Sequence, residues 1–262
     1  MPPPSSTLTP DLVWYVLDET AGTVAHDSTP HHYDMGLAGV TWDHGALFGG
    51  ADSCGFRSVP SDRTPPLTMT IWLTPSARHD GTINQFALWP FPANAFSSDI
   101  PGVGGYAIGI NVWTDGNGGS DLAVEGADTC MQAGLCVANS NQAGHGFSSA
   151  SCSGLDACNA GFVAGREYFV AVAVAAPAGD PALGVPAQVY VDGALFDDTT
   201  AYVAARSPMT PLYLGCCNFD HGYQSKRSFL GRIRDARIYG RQLTSAEVGQ
   251  LYAAGPAVTA PR

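Results

Sequence analysis

Tyr168-Phe169-Val170-Ala171-Val172-Ala173-Val174 decides the fold class of this chain. Bulky side chains hold the even positions and mostly smaller ones the odd positions, the period of two that belongs to a β-strand with two unlike faces. Val189 and Val191 continue the theme downstream. Asp192-Gly193 then separates that run from Ala194-Leu195-Phe196, and this dipeptide tolerates the positive φ values of a tight hairpin turn. Outward from the hairpin, short apolar runs bounded by turn residues recur at Leu12 to Leu17, Thr68 to Leu73, Tyr106 to Trp113 and Phe229 to Tyr239. The pattern is all-β. One helix is expected near the end of the chain. Thr244 and Glu247 form a capping box, Val248, Leu251 and Tyr252 form an apolar stripe, and Gly255-Pro256 stops it.

The 262 residues fit one large sandwich, with 1–11 as a disordered lead-in rich in Pro, Ser and Thr and 256–262 as a tail. Between Thr114 and Gly161 only Leu122 to Val124 reads as a strand, so about 114–161 is expected to be a long insertion. Charged residues make up 13% of the chain and the net charge is −11. No basic stripe is available to displace counterions from a phosphate backbone, which excludes nucleic acid as a partner, and a single lysine, Lys226, argues against an anionic membrane surface. No apolar run is long enough to span a bilayer. Met1 is followed by Pro-Pro-Pro-Ser-Ser and not by a basic and then apolar segment, so either export takes another route or a signal peptide has been trimmed.

Seven cysteines are many for a reducing compartment and point outside the cell. Cys130 and Cys136, and again Cys152 and Cys158, share one spacing inside a Gly/Ser/Ala/Asn-rich stretch, which reads as two local disulfide loops. A four-cysteine zinc site is the alternative, against which the gaps are wider than knuckle-type sites use.

The order of elements resembles the laminin-G-like jelly-roll domains of the concanavalin A-like lectin/glucanase superfamily. Leu12-Val13-Trp14-Tyr15-Val16-Leu17-Asp18-Glu19-Thr20-Ala21-Gly22, then Asp27-Ser28, is similar to the opening strand of that family. Trp42 to Gly50 is similar to its aromatic-turn-Gly-Ala-Leu-Phe-Gly strand, and Thr68 to Pro75 to its central strand. Val189-Tyr190-Val191-Asp192-Gly193 matches its hairpin, Phe229 to Tyr239 its closing strand, and Leu243 to Tyr252 its terminal helix. The resemblance implies a two-sheet antiparallel β-sandwich over 12–255 and a carbohydrate-binding or adhesion role. It also implies that Cys54 reaches a later strand and bonds Cys216 or Cys217. Asp18, Asp27 and Asp235 match acidic positions of the opening and closing strands and could share a calcium ion; the alternative is that they cap turns and pair with Arg232 or Arg237. Arg234 and Ala236 depart from the family's closing strand and remove a possible metal ligand.

Catalytic signatures are absent. The four glutamates, Glu19, Glu125, Glu167 and Glu247, make no Glu-x-Asp-x-x-Glu strand of the kind that sets two carboxylates about a glycosidic bond. His79, Tyr223, Gln224 and Arg227 sit in no lyase motif, and no Gly-x-Ser-x-Gly elbow occurs. His26, His31, His32 and His44 are read as solvated loop residues, and Trp14, Trp42 and Trp72 as core. In Leu88-Trp89-Pro90-Phe91-Pro92-Ala93-Asn94 two prolines argue for a loop, so Trp89, Phe91 and Asn94, with Trp113 and Asn117, are the expected glycan contacts. A sugar offers an apolar face to an aromatic ring and hydroxyls to amides. The reading is a binding module for glycan or a surface protein, extracellular, with an assembly subunit or homo-oligomer as the alternative. The net charge favours a neutral or amino sugar over a polyanion.

Overall fold

The computed structural model describes residues 8–49, 53–60, 66–75, 84–90, 108–114, 120–126, 165–176, 178, 185–201, 209–215 and 229–258. The chain opens with β1 (Val13–Tyr15), β2 (Val24–Ala25), β3 (Met35–Ala38), β4 (Val40–Trp42) and β5 (Ala46–Gly49). Longer strands follow: β6 (Cys54–Pro60), β7 (Leu67–Pro75), β8 (Asn84–Pro90), β9 (Ile108–Thr114) and β10 (Ser120–Gly126). The last are β11 (Tyr168–Val174), β12 (Val185–Val191), β13 (Ala194–Ala201), β14 (Met209–Leu214) and β15 (Leu230–Tyr239), before helix α1 (Ser245–Ala254).

These strands make two antiparallel sheets. One runs β13-β12-β11-β7-β15-β5-β4, with β1 also paired to β15; the other runs β10-β9-β8-β14-β6-β3-β2. Alternation decides which side chains go inward. In β3, Met35 and Leu37 are buried and Gly36 and Ala38 exposed. The core between the sheets takes Tyr15, Phe48, Met69, Ile71, Leu73, Leu212, Leu214 and Phe229, each fully or nearly fully buried. Burying a side chain of this size contributes about 1.5–3 kcal/mol.

β11 is buried along both faces. Tyr168, Val170, Val172 and Val174 join the inter-sheet core, while Phe169, Ala171 and Ala173 join a second cluster with Trp72, Tyr190, Tyr239, Val248 and Leu251. That cluster is the seat of α1, and the small alanines are the reason a helix can lie so close. Trp72 packs at 5.1 Å from Phe169 and stacks on Tyr252 at 5.8 Å. The helix begins as its sequence requires: the Thr244 hydroxyl accepts from the Glu247 N–H, and the Glu247 carboxylate accepts from the Thr244 N–H. Gly255 closes it at φ 75°. The Asp192-Gly193 turn also forms, with φ values of 50° and 77°.

Three boundaries differ from the sequence reading. Leu8 is buried and its carbonyl accepts from the Tyr239 hydroxyl, and Asp11 Oδ1 accepts from the Gly240 N–H, so packing begins inside the supposed lead-in. β10 is paired to β9 along its whole length, so the sandwich extends through Gly126 into the stretch assigned to the insertion. Ala257 donates its N–H to Asp235 at 2.6 Å, which pins the start of the tail.

Candidate functional site

Of the expected glycan contacts, Trp89 falls on a strand where a loop was expected, and Trp113 falls on a strand as its apolar run predicts. Trp89 lies in β8, between β9 and β14, and Pro90 is the final strand residue, where a missing N–H disturbs the ladder least. Trp113 lies in the neighbouring β9, opposite Asn84 of β8. Phe91, Asn94 and Asn117 lie outside the described residues. Register links Trp89 to Tyr213, Tyr213 to Phe56, Phe56 to Gly36 and Gly36 to Val24, one row across five strands. Within that row Phe56 is 44% and Val24 38% exposed, whereas Leu212 and Leu214, the neighbours of Tyr213 along β14, are buried. An apolar side chain as large as Phe56 left open in the middle of a sheet was not singled out in the sequence; Gly55 and Arg57 on either side mask its alternation.

The carboxylates expected to hold calcium have other partners. Asp27 is buried and accepts from the N–H groups of Trp14, Thr29 and Tyr33 and from the Thr29 hydroxyl, an Asx-type cap. Asp235 accepts from Trp14 Nε1 at 2.8 Å, from Arg237 through Nε and Nη2, and from the Ala257 N–H. Arg237 in turn lies 4.8 Å over the Trp14 ring. Burial by itself would weaken the hold of Arg237 on its proton, but the hydrogen bonds and charge of Asp235 outweigh it and raise its pKa. A cation would have to displace a guanidinium from saturated oxygens, so this set does not fit calcium. Among the described residues no group of three or more His, Cys, Asp or Glu is placed to hold a metal.

Asp18 belongs instead to a cavity of about 920 Å³ at the rim of the sandwich. The β1–β2 loop supplies Asp18 and Glu19, the segment after β2 supplies His26, the end of β4 supplies Trp42 and the β4–β5 turn Asp43 and His44, β15 supplies Arg234, and the tail supplies Ala257 and Val258. The Trp42 indole packs partly buried against the core, as expected, and donates from Nε1 to the Gly22 carbonyl at 2.9 Å, so it also forms a fixed wall of the cavity. Arg234 lies 3.4 Å from Glu167, and His26 lies 3.0 Å from Asp34. Leu17 and His44, both lining, have φ of 59° and 51°, and Asp235, beside Arg234 in the β15 bulge, has 48°. Left-handed backbone at non-glycine residues costs free energy that the surrounding packing must hold in place, and such residues gather at functional sites. Of the remaining histidines among the described residues, His31 stacks on Tyr33 at 5.0 Å and His32 is exposed.

Cys54 is disulfide-bonded. Its partner is outside the described residues, as are Cys130, Cys136, Cys152, Cys158, Cys216 and Cys217. The register sets Leu214 opposite Gly55, which brings the end of β14, two residues before Cys216, beside Cys54.

Residues 138–249 match the family model of the concanavalin A-like lectin/glucanases superfamily. Among solved structures, Trypanosoma rangeli sialidase in complex with sialic acid superposes with a TM-score of 0.57 at 14% identity, over 92% of this chain and 32% of that one. A mutant of the same sialidase displaying trans-sialidase activity gives 0.56 at 16% identity over the same shares. The receptor binding domain of botulinum neurotoxin C/D mosaic serotype gives 0.50 at 11% identity, over 93% of this chain and 51% of that domain. The chain thus spans about a third of the sialidases it resembles, and at these identities the likeness is one of fold. No curated protein sequence matches it. The match over residues 138–249 and the two antiparallel sheets are what this chain shares with the concanavalin A-like lectin/glucanase superfamily, a likeness of that segment and of the fold.

Proposed function

We propose that this chain is a non-catalytic, extracellular or cell-surface module that binds a neutral or amino-bearing glycan on the open face of its seven-stranded sheet. The observation that carries the reading is Phe56, 44% exposed in mid-sheet, in register with Tyr213 and Trp89 across adjoining strands. Cross-strand neighbours on one row are close enough to act together, and exposed Phe56 offers a ring on which a sugar can stack, with aromatic residues at the two positions next in register. Trp113, in β9 opposite Asn84, lies off this row toward the other end of β8. Seven cysteines, with Cys54 bonded, support an oxidising location. The missing paired-carboxylate signature supports binding without hydrolysis. Among the described residues no helix is long and apolar enough to cross a membrane.

A glycan array tests this. Neutral or amino-bearing oligosaccharides should score and sulfated or uronic polymers should not. An array with no binding, joined to a stable oligomer on sizing, would favour the assembly reading, which draws support from Leu195 (51% exposed) and Phe196 (37%) on the edge strand β13.

A further inference from the structure

We propose that the rim cavity is a second binding site, separate from the sheet face, and that it takes a hydroxylated primary amine of the amino-sugar class. Its volume of about 920 Å³ lies within the range of small-molecule sites, roughly 300–1,000 Å³.

The charge of the lining selects a cation. Asp18, Glu19 and Asp43 contribute three carboxylates, and the one arginine, Arg234, is already faced by Glu167. Asp43 stands at the tip of the β4–β5 turn with its backbone engaged, its N–H to Gly45 and its carbonyl to Arg232. Among the described residues its carboxylate has no hydrogen bond or ion pair. Beside it Trp42 is held by the Gly22 carbonyl, so its ring is a fixed surface against which an ammonium or the C–H face of a sugar can lie. A sugar fits better than a bare alkyl amine, because the lining alternates apolar groups (Val16, Leu17, Ala257) with hydrogen-bonding ones (Thr20, Ser28, His44). The left-handed backbone at Leu17 and His44 sets these groups before a ligand arrives, which reduces the ordering cost of binding.

Calorimetric titration of the intact chain with a glucosamine oligomer, its fully N-acetylated counterpart and 1,5-diaminopentane tests the proposal. The free-amine oligomer should bind, and N-acetylation, which removes the charge, should weaken it at least tenfold. Asp43→Asn should weaken it by a similar factor, whereas Glu125→Gln, which removes one charge on β10, should not. Phe56→Ala should leave the difference between amine and acetyl forms intact, which separates this site from the sheet face. Equal binding of the two oligomers, or an Asp43→Asn variant no weaker than Glu125→Gln, would overturn the assignment. Diaminopentane binding as tightly as the oligomer would overturn the sugar and leave a partner's lysine as the ligand.

Discussion

Replacing Asp235 by asparagine should be the most damaging single-atom change in the closing strand. The side chain is 1% exposed, and its two oxygens hold the Trp14 indole N–H, two guanidinium N–H groups of Arg237 and the Ala257 N–H. Asparagine tolerates the left-handed region, so the φ of 48° at this bulge is no obstacle and the loss reports the carboxylate itself. Removing one partner of a buried ion pair costs about 3–5 kcal/mol, because the other charge stays buried without compensation. Urea unfolding with an unchanged m-value and a midpoint lowered by the equivalent of about 3 kcal/mol is the expected result. Asp235→Asn combined with Arg237→Met should recover part of that loss, since it removes the uncompensated guanidinium while asparagine keeps the left-handed backbone and an oxygen acceptor. A single variant losing less than about 1 kcal/mol would refute the view that this network joins the two ends of the chain.

Other consequences follow from separate parts of the fold. Glu247 is held down to about 2, chiefly by its hydrogen bonds with Arg241, so its contribution is complete above its unfolded value of 4.5 and disappears as pH falls through about 2; Glu247→Gln should flatten the decline of Tm between those limits. Gly215→Ala should destabilise the chain by about 2 kcal/mol or more on thermal melting, because φ is 70° and the new Cβ would sit 2.2 Å from the Phe48 ring. A chelator should leave Tm unchanged, since Asp27 and Asp235 give their oxygens to protein donors; a drop restored by calcium would return the metal to the account. Peptide mapping without reductant should recover Cys54 joined to Cys216 or Cys217, and recovery with any other cysteine would contradict the register of β6 and β14.

The parts of the fold set by local alternation were open to reading from sequence. Tyr168 to Val174 declared two unlike faces, and both proved necessary, one for the inter-sheet core and one for the helix. The capping box at Thr244 and Glu247 was equally local. Pro90 misled because a proline at the last position of a strand carries the same sequence signal as one that prevents a strand. Leu8 and Ala257 were missed because their partners, Tyr239 and Asp235, are settled only when the chain ends meet β15. The rim cavity was beyond sequence for the same reason. Trp42, Asp18 and Arg234 come from three separate segments, and only the pairing of β1 and β5 with β15 brings those segments together.

The most direct test of the central claim is calorimetric titration of the best-scoring glycan into the wild-type chain and into the Phe56→Ala, Trp89→Ala double variant. Loss of two stacking contacts at about 0.5–1.5 kcal/mol each should weaken binding by roughly five- to a hundredfold with folding intact. Unchanged affinity in the folded double variant would contradict the assignment of the sheet face as the glycan site.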